Sequence, residues 1–502
     1  MPSDQHRHRG RLHMWSTAAA DDVRLPGYDR AAVTPGIAHI GVGNFFRVHG
    51  ARYVDDCLHL PGQSDWGIIG IGVLESAQGK AKAAAYAAQD HLYTMTEYAP
   101  DGAASARVIG AMIDYRYAPD DPAAVVDLLA SPAIRIVTMT LTEGGYFRDE
   151  ATGRFDPAHP DIQRDLHNPL PRTVFGLLTD ALRRRREAGT APFTVVSCDN
   201  LRGNGRTARE TLTGFARLTD PDLADWINRA VAFPDSMVDR IAPKVDAATA
   251  QRVREDTRID DALPAVAELF TQWVIQDRFP AGRPALDVVG VQLREDVAEF
   301  EAIKGRILNA SHMLLAFPAI LMGYRLVHEA MRDTRLAGLL RRFLRRDVIP
   351  LMKAPPGVLL QHYVDSVLER FANPAVGDQL LRIAADGASK IPTFHTRTLQ
   401  LLLDQGADIS REAFLLAAYR RFLAGVDDAG AHYQVSEPTM TAADLKLLRS
   451  PDPVAALTVT PFAALHLADD DSFVDRYRQL VDQFAAVGTA ATLQGLLDPS
   501  LS

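Results

Sequence analysis

The segment Glu301–Met313 reads EAIKGRILNASHM and leads into the most apolar run of the chain, Ile307 to Tyr324. Ile303, Ile307, Leu308, Met313, Leu314 and Leu315 mark it as buried, and its length without strand-type alternation predicts a helix. At about 100° per residue, His312 lies about 80° from Lys304, Asn309 about 140°, Glu301 about 60° and Gly305 about 100°. All of them therefore fall on one broad face. A core accepts a lysine only where the ammonium is paired or has lost its proton.

A lysine made neutral in an apolar, ligand-filled cleft is a general base. Its ordinary pKa of about 10.4 must fall several units for that task. Asn309 and His312 each offer a hydrogen bond to an oxygen that turns anionic as the base takes its proton. Gly305 leaves room for a ligand between them. This is the minimal equipment for oxidising an alcohol by hydride transfer without a metal. The bland alternative is a core helix whose three polar residues are satisfied by nearby loops, and the scarcity of buried lysines weighs against it.

A chain of 502 residues is too long for one ordinary domain, so two or three are expected. The net charge of −9 argues against nucleic acid as a partner. Two cysteines, Cys57 and Cys198, provide neither a disulfide framework nor a thiolate metal site, and they fit a reducing cytoplasm. Asn309, Ser311, His312 and Pro318 interrupt the most apolar run, which excludes a membrane span there. Residues 1–30 begin with a basic, histidine-rich stretch, His6 to His13, that no apolar segment follows. They are expected to form a disordered tail with no assigned function.

From Gly36 the pattern changes. An apolar strand runs into Gly41-Val42-Gly43 and a helix, the opening of a dinucleotide fold. Gly41 would make the tight turn and Gly43 would admit the pyrophosphate, although Phe46 stands where a third glycine is usual. A second strand over Trp66–Val73 ends at Leu74-Glu75. A carboxylate there accepts from ribose hydroxyls and repels a 2′-phosphate, so Glu75 favours NAD over NADP, while Lys80 and Lys82 would attract a phosphate. Further strands are expected over Ile134–Leu141 and Phe193–Ser197, followed by Thr142-Glu143-Gly144-Gly145-Tyr146 and Cys198-Asp199-Asn200. Thr173–Glu187 reads as a helix whose Arg183–Arg186 run is a solvated face, and Phe233–Arg240 reads as a loop. After the Pro/Gly-rich link Pro280–Pro284 the pattern is almost wholly helical. The expected fold is α/β: a Rossmann-like dinucleotide-binding domain over 31–294, then a mostly α-helical domain over 295–502, with the active site in the cleft between them.

Lys304, Asn309 and His312 match the Lys-x4-Asn-x2-His signature of the long-chain, polyol-specific mannitol dehydrogenase family, and the chain resembles that family well beyond it. Thr140–Tyr146 (TLTEGGY), Ser197–Leu201 (SCDNL), the Phe233–Arg240 segment, and Arg382 followed by Asp386-Gly-Ala-Ser-Lys390 all look like family segments. So does the turn with Gly41, Gly43, Phe45, Arg47 and His49, where Phe46 and Val48 depart from the pattern. The resemblance implies that Phe45 and Arg47 serve the cofactor turn and that Asn200 reaches the reacting oxygen. It implies that Val238, Asp239, Arg382 and Lys390 contact the substrate. By placement, Glu301 or Glu143 would form part of a path carrying the released proton to water. The implied reaction, closest to the mannitol 2-dehydrogenase branch, is reversible, metal-free oxidation of D-mannitol to D-fructose with NAD by a cytoplasmic monomer. Rivals within the family are D-arabinitol or D-sorbitol dehydrogenation and reduction of a hexuronate (fructuronate or tagaturonate), whose carboxylate Arg382 and Lys390 would clamp. Asp239 favours a neutral polyol over a hexuronate. A rival of another class is an NAD-binding sensor without catalysis.

Overall fold

Short runs rich in Val and Ile, each stopped by a glycine or a polar residue, form the central sheet of the first half. The computed structural model describes residue 15 and residues 17–149 and 153–498. In chain order the strands are β1 (Pro35–Ile40), β2 (Gly67–Gly72), β3 (Tyr93–Tyr98), β4 (Ala104–Ile109), β5 (Met112–Tyr117), β6 (Ile136–Met139), β7 (Thr194–Ser197), β8 (Ser236–Asp239), β9 (Ala265–Glu268), β10 (Gln272–Ile275) and β11 (Gln292–Leu293). Five of them make an all-parallel sheet in the order β5-β2-β1-β6-β7.

Side chains alternate between its two faces. Ala38, Ile40, Val137, Met139 and Val195 point into one apolar cluster, where the Val174–Glu187 helix adds Phe175 and Leu178. Ile37, Ile136 and Val196 point into the other, where the Gly50–Leu58 helix adds Val54 and Cys57. A sheet covered on both faces reads as continuous apolar runs, which is why its strands are legible in sequence.

Two smaller sheets are not anticipated. One has the order β4-β3-β9 and the other β11-β10-β8. The second corrects the expected loop at Phe233–Arg240: residues 236–239 pair antiparallel with β10, Val238 opposite Trp273 and Asp239 opposite Gln272.

The expected tail also needs correction. Residues 1–14 and 16 lie outside the described residues. Of the remainder up to Arg30, Trp15 and Val23 are buried, joining Leu92, Val108 and Ile259 in an apolar cluster, while residues 17–22 between them are exposed or half-buried. Arg30 is buried, donating to the carbonyls of Gly110 (3.0 Å) and Met112 (2.9 Å) and pairing with Asp90 at 2.6 Å. Its burial anchors this segment.

The chain divides into two compact units between Ala298 and Glu299, with Pro100–Gly102 grouped with the second. The second is built of helices and turns, and its buried centre is the segment the sequence singles out. That segment is not a plain α-helix. Val297–Ile303 passes into a π-helical turn, Lys304–Asn309, and then into the α-helix Ala310–Leu321, which carries Pro318 within it. Every residue from Ala310 to Leu321 is buried. Around it lie the helices Leu360–Phe371, Leu380–Ala384, Gly387–Asp404 and Ser410–Phe422.

Candidate active site

In the first unit, β1 and β6 run side by side in register, Ile40 beside Met139, and their ends deliver Gly41 and Thr140 to the same level. Gly41 has φ +92°, and a Cβ there would lie 2.1 Å from the Thr140 carbonyl oxygen, so both backbone conformation and space require glycine. At Gly43 the nearest heavy atom to an added Cβ is the Gly41 carbonyl at 3.8 Å. The protein itself leaves that side open.

Gly41 and Gly43 line a cavity of about 670 Å³, together with Leu74, Glu75, Thr142 and Arg172. Its size, its glycine floor and its place at the carboxyl ends of β1, β2 and β6 fit a nicotinamide dinucleotide.

Phe45 and Arg47 are not among the groups lining that cavity. Phe45 stacks on His49 with centroids 4.8 Å apart. Arg47 is buried, donating to the Asn44 side chain at 2.7 Å and to the Leu263 carbonyl, so its guanidinium ties the turn to a distant loop. The structure thus brings Gly41, Gly43 and Glu75 together and leaves Phe45 and Arg47 out. Phe46 also turns inward and stacks flat on His39, with 4° between the rings. His39 in turn holds the glycine turn: its Nε2 is 3.2 Å from the Gly41 carbonyl oxygen and its Nδ1 2.8 Å from the Thr138 hydroxyl. Burial lowers its pKa to about 3, so the ring is neutral.

Glu75 lies exposed on the cavity wall, and Arg172 Nη1 is 3.0 Å from its Oε2. Sequence reasoning misses Arg172 because it stands 97 residues away from its partner. It also misses Asp199, beside Asn200. The Asp199 carboxylate accepts from the amides of Leu141 and Thr142, both at 2.9 Å, and from the Tyr146 hydroxyl at 2.7 Å. It thereby organises the TLTEGGY segment around Thr142, which is held at φ 63°. Asn200 is exposed just beyond β7, while Val238 and Asp239 are buried at the end of β8. Cys198 is buried, its thiol pushed up to about 12 by that burial, and so is not an activated nucleophile.

In the second unit Lys304 and His312 are each 8% exposed, so both are core positions despite their polarity. The ring of His312 stacks on Phe371 with centroids 4.1 Å apart, which fixes its plane. The π-turn changes the expected wheel. The amide of Ala310 bonds back five residues to the carbonyl of Gly305, so residues five apart stack along the axis. Lys304 and Asn309 are such a pair. They come closer to one line than the α-helical spacing predicts. Glu301 is half-buried one turn before Lys304.

Arg382 donates through Nε and Nη2 to Asp378 Oδ1 at 3.0 and 2.6 Å. Lys390, in the first turn of Gly387–Asp404, donates to the carbonyls of Ile383 (3.1 Å) and Ala385 (2.5 Å). Among the described residues no three His, Cys, Asp or Glu side chains are grouped to hold a metal ion, and no helix is long and apolar enough to cross a membrane.

The family model of the mannitol dehydrogenase Rossmann domain matches residues 35–288, and that of the mannitol dehydrogenase C-terminal domain matches residues 296–485. A polyol:NADP oxidoreductase of Gluconobacter oxydans (strain 621H) is 50% identical over 443 residues, 88% of this chain and 91% of that one. Among solved structures, a D-sorbitol dehydrogenase in substrate-free form is 45% identical with a TM-score of 0.85, covering 96% of this chain and 99% of that one. Mannitol 2-dehydrogenase of Pseudomonas fluorescens, in a ternary complex with NAD and D-mannitol, is 39% identical with a TM-score of 0.90, covering 96% and 98%.

Proposed function

The chain belongs to the mannitol dehydrogenase family, oxidoreductases that act on CH–OH groups, and on that premise we propose that it oxidises D-mannitol to D-fructose, reversibly, with NAD and without a metal. The observation that carries the reading is the buried π-turn, which brings Lys304 towards the line of Asn309, itself one turn before His312.

The bound nicotinamide supplies a hydride acceptor. Lys304, neutral in the site, takes the proton of the hydroxyl being oxidised. Asn309 and His312, joined by Asn200, donate to that oxygen as its negative charge grows. Glu301 relays the released proton to water. Asp239, Arg382 and Lys390 orient the remaining hydroxyls, and Val238 packs against the carbon chain. Gly41 and Gly43 take the pyrophosphate, and Glu75 accepts from the adenosine ribose.

A neutral polyol is favoured over a hexuronate because Asp378 already offsets the charge of Arg382, and Lys390 is engaged by two carbonyls. A carboxylate would meet a half-neutralised clamp. The protein is proposed to act in the cytoplasm, which its free Cys57 and Cys198 fit, and as a monomer, which the resemblance implies.

One observation favours a second reading for the cofactor. Arg172 beside Glu75 is positioned to neutralise the carboxylate and to meet a 2′-phosphate, and the relative from Gluconobacter oxydans is named for NADP.

The test is turnover followed by the near-ultraviolet absorbance of the reduced nicotinamide. NAD and NADP are each paired with mannitol, sorbitol and arabinitol, and NADH and NADPH with fructose and fructuronate. Mannitol and fructose turnover with NAD is the expected result. A preference for sorbitol or fructuronate reassigns the substrate, and binding of dinucleotide without any turnover makes the chain a sensor.

A further inference from the structure

His395, on the Gly387–Asp404 helix, and Glu412, on Ser410–Phe422, form a buried pair whose side chains are 3% and 2% exposed. His395 Nδ1 lies 2.9 Å from Glu412 Oε2, and Nε2 lies 3.1 Å from the carbonyl oxygen of Ala310. A carbonyl oxygen only accepts, so Nε2 carries a hydrogen. The contact with Glu412 needs a second hydrogen, on the ring or on the carboxyl group. Either way the pair holds one proton more than a neutral imidazole beside a carboxylate. Its total charge is then zero, the state that burial favours. Asp347, which feels the charge of Glu412, is paired with Arg411, and Arg411 also with Asp408 at 2.8 Å.

Ala310 is the first residue after the π-turn, between Asn309 and His312. A turn of this kind is rare, and this one is held from outside. The Gly387–Asp404 helix supplies two, because besides His395 it presents Thr398, whose hydroxyl accepts from Arg306 Nε at 2.9 Å. The ring of Phe343, 5.6 Å away centroid to centroid, backs the imidazole. The same helix carries Lys390 in its first turn.

We propose that His395, oriented by Glu412, is a positioning residue that grips the Ala310 carbonyl and so sets Asn309 and His312 against the reacting oxygen. This rests on the reading that Lys304, Asn309 and His312 carry the chemistry.

The test compares His395→Gln, which places an amide N–H where Nε2 stood, with His395→Asn, which places one where Nδ1 stood. Both are polar and smaller than the ring. The Gln variant is expected to keep kcat within about threefold and the Asn variant to lose about tenfold or more, as misplacement of reacting groups does. Both should bind NADH as the parent does and melt within a few degrees of each other. Equal kcat in the two variants would overturn the proposal, since a merely structural histidine gives no reason for the difference. Should neither fold, Glu412→Gln serves: its amide N–H satisfies Nδ1 and leaves Nε2–H on Ala310, so kcat should stay within about threefold, and a tenfold loss refutes the proposal. Lys304→Met separates the two failures. Full turnover in that variant sinks the reading of the site. Its inactivity, alongside matched His395 variants, sinks the positioning role alone.

Discussion

Lys304 and Asn309 stand at the two ends of one π-turn, a five-residue spacing that brings them closer to one line along the helix than an α-helix would. On an ideal α-helix the same pair diverges by about 140°. The extra residue in the turn therefore converts a broad polar face into a compact one inside an otherwise apolar helix.

Lys304→Met should abolish most turnover while sparing the dinucleotide, because in the proposed reaction the lysine acts on the substrate proton. The expected loss is about 10²- to 10⁴-fold in kcat, the range of a missing general base. Steady-state kinetics and NADH titration check it, and retention of kcat would contradict the mechanism.

Asn309→Ala should remove one donor to the developing alkoxide. A loss of about 10²- to 10³-fold in kcat is expected with KM changed far less, since the bond strengthens only as charge develops. A change confined to KM would make Asn309 a binding group only.

Cofactor choice should turn on Glu75 and Arg172, which meet at 3.0 Å on the cavity wall. Arg172→Ala leaves the carboxylate uncompensated and should lower kcat/KM for NADP relative to NAD by about tenfold, whereas Glu75→Gln should raise that ratio similarly. Both effects should shrink as salt rises, because the pair is exposed. An unchanged ratio in both variants would remove the pair from cofactor selection.

Freeing Arg382 should move specificity towards acids. Asp378→Asn removes the carboxylate that binds its Nε and Nη2, and the ratio of fructuronate to fructose reduction should rise by about tenfold. No change in that ratio would place Arg382 outside the substrate's reach.

Acid should find His39. Its pKa is lowered from 6.5 to about 3 by burial, so between those values the unfolded chain binds a proton that the folded chain refuses. The stability this withholding protects is complete above pH 6.5 and drains away as pH falls towards 3. Urea midpoints measured from pH 7 to pH 4.5 should therefore fall more steeply in the parent than in His39→Asn, and parallel curves would show that His39 does not control acid stability.

The strand–glycine turn–helix at β1 and the apolar runs of β2, β6 and β7 are legible in sequence because a parallel sheet covered on both faces needs near-continuous apolar strands. β8 is not, being four residues long, following Pro234, and existing by pairing with β10. The start at Gly387 of the helix that carries Lys390 is not legible either, because it is set by the carboxylate of Glu437, some fifty residues on, which accepts from the amides of Gly387 and Ala388 at 3.0 Å each. Periodicity carries no trace of such a cap.

From the sequence alone come the two-part fold, the dinucleotide turn at Gly41 and Gly43, and the anomaly of Lys304, Asn309 and His312 within an apolar helix. Each is local, a matter of which residue types recur over a few turns or strand lengths. The tertiary structure decides what long-range contacts decide. It places Phe45 and Arg47 off the wall of the cavity that Gly41, Gly43 and Glu75 line, sets Arg172 on Glu75 and Asp378 on Arg382, and inserts the π-turn with His395 holding Ala310. Those outcomes depend on hydrogen-bond and charge partners that the chain brings together only on folding, and a buried polar group takes its role from the partner it finds there.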